Sequence, residues 1–150
     1  MGLANFGGVI FGIALLTGCN SDRPAIASTQ VLPHGYSVTV TRVATHPFLA
    51  RYNLSLKVVT RSGCSAASEL FPDTGGVSRR NLYLAPSGRL YLVGQFDVRR
   101  FDEKPCRAEL IEFRSLETGL TFLGSFDVDG TGRWSFFSSA VREEQPFEKL

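Results

Sequence analysis

Leu82-Tyr83-Leu84-Ala85-Pro86-Ser87-Gly88-Arg89-Leu90-Tyr91-Leu92-Val93 is the stretch that decides the fold. Two short runs of alternating aliphatic and aromatic residues flank Ala85 to Arg89, where Pro86 fixes its own φ and Gly88 supplies a positive one, so the chain reverses tightly. The product is a β-hairpin. Because Leu and Tyr alternate without a polar face, both sides of the hairpin are expected to be partly covered, as in a central strand pair.

Upstream, Tyr36, Val38 and Val40 alternate with Ser37, Thr39 and Thr41, the pattern of a half-buried strand. After the His46-Pro47 break, Tyr52, Leu54, Leu56 and Val58 alternate with Asn53, Ser55 and Lys57, and the two strands are expected to pair through a long connection. Ser65 to Phe71 reads as room for one short helical turn, and Pro72-Asp73-Thr74-Gly75-Gly76 as loop. Downstream, Arg99 to Pro105 reads as a polar loop. Arg107 to Arg114 reads as a strand with a phase change at Leu110-Ile111, as at a β-bulge. Glu117-Thr118-Gly119 turns the chain into a strand over Leu120 to Val128, and Asp129-Gly130-Thr131-Gly132 turns it into another over Arg133 to Val141.

Gly94-Gln95-Phe96-Asp97-Val98 recurs as Gly124-Ser125-Phe126-Asp127-Val128, which reads as two similar strand ends with Phe facing the core and Asp beginning a turn. The 12 Phe, 4 Tyr and single Trp must mostly be core. Trp134, Phe136 and Phe137 share one strand, so alternation sends at least one to the opposite face, where it is expected in a partly buried edge position, the alternative being an exposed aromatic that anchors a protein or glycan partner. The expected fold is all-β: an antiparallel β-sandwich or small β-barrel of about seven to eight strands over residues 32–141. Residues 142–150 form a polar C-terminal tail, expected to be extended or loose.

The apolar run Phe6 to Leu15 ends in Leu16-Thr17-Gly18-Cys19. A run of about ten apolar residues has the build of a secretory h-region, while a spanning helix needs roughly 20. The ending resembles the lipobox of bacterial lipoproteins, although Met1 to Asn5 lacks the usual Lys or Arg. The resemblance implies a signal peptide over residues 1–18 and a lipidated Cys19 as the mature first residue. It also implies a membrane partner through that lipid. Residues 19–31 then carry the lipid and a polar tether with an r.m.s. reach of roughly 20 Å. In such lipoproteins Asp after the lipidated Cys favours inner-membrane retention; Asn20 stands here, so the implied destination is the outer membrane, with the domain in the periplasm. Once Cys19 is assigned to the lipid, Cys64 and Cys106 remain as a pair in an oxidising compartment, and a disulfide is expected. A metal site or a redox thiol is the rival reading, and neither Cys belongs to a Cys-x-x-Cys pair.

With 16 basic and 14 acidic residues the chain is nearly neutral at +2, which gives no basis for a nucleic-acid partner. The doublets Arg79-Arg80 and Arg99-Arg100 read as solvated charge. Asp127-Val128-Asp129-Gly130-Thr131-Gly132 has the spacing of a calcium loop, but Ser138 stands where the bidentate Glu belongs and the flanks are strands, so it reads as a hairpin turn. No metal or cofactor is expected. His34 and His46 are the only histidines, both beside turn formers, and no nucleophile elbow, metalloprotease helix or phosphate loop occurs.

The expected function is therefore a non-enzymatic binding or accessory module of the cell envelope, anchored in the outer membrane, with an envelope protein or glycan as partner. Ser87-Gly88-Arg89 with Tyr91 resembles the Ser-Gly loop of the membrane-bound lysozyme-inhibitor lipoproteins, small β-barrels whose later Trp-x-Lys-Gly stretch is absent here. That resemblance implies the alternative of a cell-wall hydrolase inhibitor. A hydrolase using His34 or His46 is the third reading. Arg89 and Arg133 each end a turn, and the two turns are expected to share one binding rim, the plain alternative being that both Arg residues only solubilise their hairpins.

Overall fold

The computed structural model describes residues 23–147, so the stretch that resembles a lipobox, Cys19 and the last residues of the tail lie outside the described residues. Among the described residues ten strands form in chain order: β1 (Ile26–Val31), β2 (Ser37–Ala44), β3 (Tyr52–Val59), β4 (Ser65–Asp73) and β5 (Arg80–Leu84) are followed by β6 (Leu90–Val93), β7 (Val98–Asp102), β8 (Arg107–Ile111), β9 (Thr121–Val128) and β10 (Trp134–Ser138). One 3-10 turn, Phe113–Ser115, interrupts the link from β8 to β9.

The hairpin behaves as its residues require. The Gly88 amide donates to the Ala85 carbonyl at 2.9 Å, with Gly88 at φ 85°, and Leu82 pairs with Leu92 and Tyr83 with Tyr91. This pair is the centre of a six-stranded antiparallel sheet ordered β10-β9-β5-β6-β7-β8, packed on a four-stranded meander ordered β1-β2-β3-β4. Val38, Val40, Leu54, Leu56 and Val58 from the meander meet Leu82, Leu90, Leu92, Phe101, Phe126 and Trp134 in one core. Each such side chain, fully buried, contributes about 1.5–3 kcal/mol relative to exposure. At the seams β1 lies beside β10 and β4 beside β8, and the Trp134 indole N–H donates to the Val40 carbonyl at 3.0 Å. Neither sheet closes into a barrel, which leaves the two-sheet arrangement of the two that were expected.

A second apolar cluster covers the other face of the central hairpin, with Tyr83, Ala85, Tyr91, Val93 and Val98 lying under Ile111, Leu116, Leu120, Phe122 and Phe147. Both faces of the hairpin are thus covered, one by the meander and one by the link from β8 to β9 and the C-terminal segment.

Ten strands replace the expected seven or eight, and the additional ones have physical reasons. β1 occupies Ile26–Val31, the latter part of what was read as tether; its Ala, Ser, Thr and Gln have no apolar period because it is an edge strand with a largely exposed surface. β4 stands where a helical turn was expected; it alternates only through small Ala66 and Leu70, again at an edge. β7 runs through the supposed polar loop, and its period was hidden because a charged residue, Arg99, takes a core-facing position beside Phe101. The register slips lie elsewhere, in β9, where pairing with β5 passes from Leu82 opposite Gly124 to Tyr83 opposite Phe122, and in β4 against β3, while β8 pairs with β7 in regular register through Leu110 and Ile111. The tail is not loose where it is described. Arg79 and Asn81 donate to Gln145, Tyr83 donates to Glu144 at 2.7 Å, and Phe147 packs on the second cluster.

Candidate functional site

The strand directions give the molecule two distinct ends. Where β1 begins, at the entry end, lie the loops β2–β3, β4–β5, β6–β7 and β9–β10; the far end carries the turns β1–β2, β3–β4, β5–β6 and β7–β8. Because β5 and β9 run antiparallel, with Arg80 opposite Phe126 and Leu84 opposite Thr121, the Arg89 turn sits at the far end and the Arg133 turn at the entry end. The expected common rim does not form. Each Arg is also engaged locally: Arg89 bonds Asp102 and Glu117, and Arg133 Nε donates to Asp129 Oδ2 at 2.9 Å. Hydrogen bonds from the Thr131 hydroxyl and from the Arg133 and Thr131 amides hold the Asp129 carboxyl well below the usual carboxylate range. Asp127, the other acid of the calcium-like spacing, accepts from Arg142 at 2.8 Å within β9, so it does not begin a turn.

Cys64 and Cys106 are joined in a disulfide. It ties the turn before β4 to the turn before β8, and so fastens the two sheets at the far end. Nearby, Glu103 accepts from Ser62 at 2.6 Å and Tyr36 at 2.8 Å; these bonds lower the Glu103 pKa, and burial together with Glu103 raises that of Tyr36. Glu117 accepts from Ser87 and Tyr91, both at 2.8 Å, and is lowered in turn, while burial first and then Glu117 push the Tyr91 phenol up to about 12. His34 lines a shallow far-end cleft with Tyr36, Pro86 and Thr121. His46 lies in the β2–β3 loop at the entry end, where its Nδ1 accepts the amides of Phe48 and Leu49. The two histidines therefore do not share a site.

Sequence reasoning missed a charged cluster at the entry end. Arg80 and Arg99, read as solvated, are 3% and 6% exposed, and the Asp97 between them is 2% exposed. Asp97 stands 3.7 Å from the Arg80 guanidinium and 3.5 Å from that of Arg99, and accepts the Phe71 amide at 2.9 Å. Arg80 Nη2 donates to the Phe71 carbonyl at 2.7 Å, while Arg99 donates to the Glu69 carbonyl and to Ser68 Oγ. Burial lowers both arginine pKa values, with Asp97 opposing the shift, as expected for cations drawn out of water but given an anion. The arrangement is a clamp: β5 and β7 of one sheet grip the backbone of β4 in the other. A buried Arg paired to Asp leaves no mark in the sequence beyond the doublets themselves.

Above this clamp lies a run of exposed apolar side chains. Phe71, Phe96, Leu110 and Phe113 border an open groove of about 760 Å³ on the β4–β8 seam, with Arg100 and Arg114 among its lining. Phe96 was expected in the core; it is exposed because it lies in the tight β6–β7 turn that Gly94 and Asp97 close, whereas its counterpart Phe126 is inside β9 and fully buried. Arg99 passes 5.6 Å over the Phe71 ring, which ties this border of the groove to the clamp. In β10, Trp134 is buried, Phe136 packs on Phe126, and Phe137 on the opposite face is covered by Arg142 at 3.6 Å.

Fold and site together define an all-β protein of two packed antiparallel sheets with an aromatic groove along one seam. Comparison with family models, with curated proteins and with solved structures returns no match in any of the three.

Proposed function

We propose that this chain is a bacterial lipoprotein, anchored in the outer membrane through Cys19, whose folded part is a non-enzymatic binding module of the cell envelope. The groove bordered by Phe71, Phe96, Leu110 and Phe113 carries the binding half of this reading. Exposed aromatic and aliphatic groups on a sheet seam, flanked by arginines, are the composition of an interface centre with a polar rim. The partner is an envelope protein that offers apolar side chains to the groove; Arg100, paired with Asp102 and Glu109, and Arg114, paired with Glu112, make its polar border. The anchoring half rests on Leu16-Thr17-Gly18-Cys19 and on the disulfide, which suits an exported chain.

The test is capture from an envelope extract by the tagged mature chain beside its Phe96→Ser/Phe113→Ser double variant. A specific protein retained by the parent and lost by the variant supports the groove; equal retention removes it as the site. The anchor is tested separately with a fatty-acid analogue, and labelling that persists in Cys19→Ser refutes it.

One observation favours a second reading, inhibition of a cell-wall hydrolase. The Ser87-Gly88-Arg89 turn is at the far end, away from where the chain enters, which is the end an anchored domain presents outward. Lysozyme turbidity assays with the parent and with Arg89→Ala decide this: inhibition by the parent that the variant loses would favour it.

A further inference from the structure

We infer that the entry end lies against the phospholipid surface, with Phe48 and Leu49 of the β2–β3 loop inserted at the headgroup level; this rests on the Cys19 anchor proposed above. Phe48 is 91% exposed, and Leu49 and Ile26 beside it are exposed as well. The loop that presents them is built. The Thr45 amide donates to the Arg51 carbonyl at 2.9 Å and the Arg51 amide to the Leu49 carbonyl at 2.8 Å. His46 Nδ1 accepts from the Phe48 and Leu49 amides at 3.1 and 2.9 Å, turning both side chains outward.

The occupant follows from where the chain leaves the described structure. Arg23, Pro24 and Ile26 line one side of an open cleft of about 660 Å³ whose other side is His46, Phe48 and Leu49. Only Asn20, Ser21 and Asp22 separate Arg23 from Cys19, a contour of at most about 14 Å, because β1 has taken up sequence that would otherwise lengthen the tether. A lipid on Cys19 therefore holds this loop close to the headgroups. The chemistry of the patch suits that surface: aromatic and aliphatic tips flanked by cations are what interfacial segments present to phospholipid. Arg23 and Arg51 flank the loop, and Arg42 lies 3.4 Å over the Tyr52 ring. Asp73, the carboxylate paired in register with Tyr52, is buried and taken up by Gly75, Gly76 and Ser78, so it does not face the membrane.

The test uses the full chain made in a bacterial host, purified and placed in vesicles of phosphatidylethanolamine with a minor share of phosphatidylglycerol. Phe48→Cys and, as the far-end control, Ser87→Cys are labelled with bimane; Leu49→Cys repeats the entry-end reading if Phe48→Cys is poorly made. Nitroxide lipids labelled near the headgroup are then added, and the mass of the N-terminal peptide reports acylation of Cys19. With Cys19 acylated, loss of most bimane emission at position 48 and unchanged emission at position 87 is the expected result. With Cys19 acylated and positions 48 and 87 equally unquenched, the docked orientation is wrong while the anchor stands. If Cys19 carries no acyl group, the anchor fails and the orientation fails with it.

Discussion

At the scale of single residues, Gly94 is where space decides. A Cβ there would stand 2.6 Å from Asp97 Oδ1 and 2.8 Å from Arg80 Nε, so any larger residue pushes on a charge pair whose side chains are almost fully buried. Breaking such a buried pair is strongly destabilising, because each ion is left without compensation. Gly94→Ala is expected to lose about 2–4 kcal/mol, read as a lowered urea midpoint. Gly88→Ala supplies the contrast: nothing lies within 4 Å of the added Cβ, and only its φ of 85° opposes the change, at about 1 kcal/mol. Equal midpoints for the two variants would mean that the clamp contributes little.

At the scale of elements, β4 is the strand most in need of fastening. It is an edge strand, it lies mostly exposed, and its last residues bulge against β3 between Leu70 and Asp73. The Arg80–Asp97–Arg99 clamp holds its entry-end half and the Cys64–Cys106 bridge holds its far end. With a sequence separation of 42, the chain-entropy contribution of the bridge is about 4 kcal/mol. Cys64→Ser/Cys106→Ser is expected to lose that amount in denaturant titration, with faster amide exchange concentrated in β4 and β8. A variant as stable as the parent would show that the clamp alone holds the seam.

At the scale of the whole molecule, the six-stranded sheet has cores on both faces, and the second is finished by chain that looks dispensable. Phe147 packs beside Tyr83 and Tyr91, and the Tyr83 phenol, raised by burial and by its bond to Glu144, depends on that cover. Truncation after Val141 uncovers part of this cluster and removes the Gln145 bonds to Arg79 and Asn81. The expected loss is about 2–3 kcal/mol, together with new binding of an apolar dye to the exposed face. Unchanged stability and no dye binding would mean that the tail only rests on the sheet.

The all-β class, the central hairpin with both faces covered, the β2 and β3 strands and the β9–β10 turn were legible from sequence, because each depends on local chemistry: a two-residue apolar period, or Gly and Pro at a reversal. The pairing of Cys64 with Cys106 was legible for a different reason, since assigning Cys19 left only those two. Tertiary structure alone decided the rest. Edge strands β1 and β4 bury too little to impose a period on their residues, and β7 hides its period behind an arginine whose burial is possible only because Asp97 arrives from the preceding turn. The separation of Arg89 from Arg133, the gathering of Phe71, Phe96, Leu110 and Phe113 into one groove, and the Phe48 loop beside the chain entry are likewise consequences of strand order. Strand order is set by contacts between residues far apart in the chain, and no local pattern encodes it.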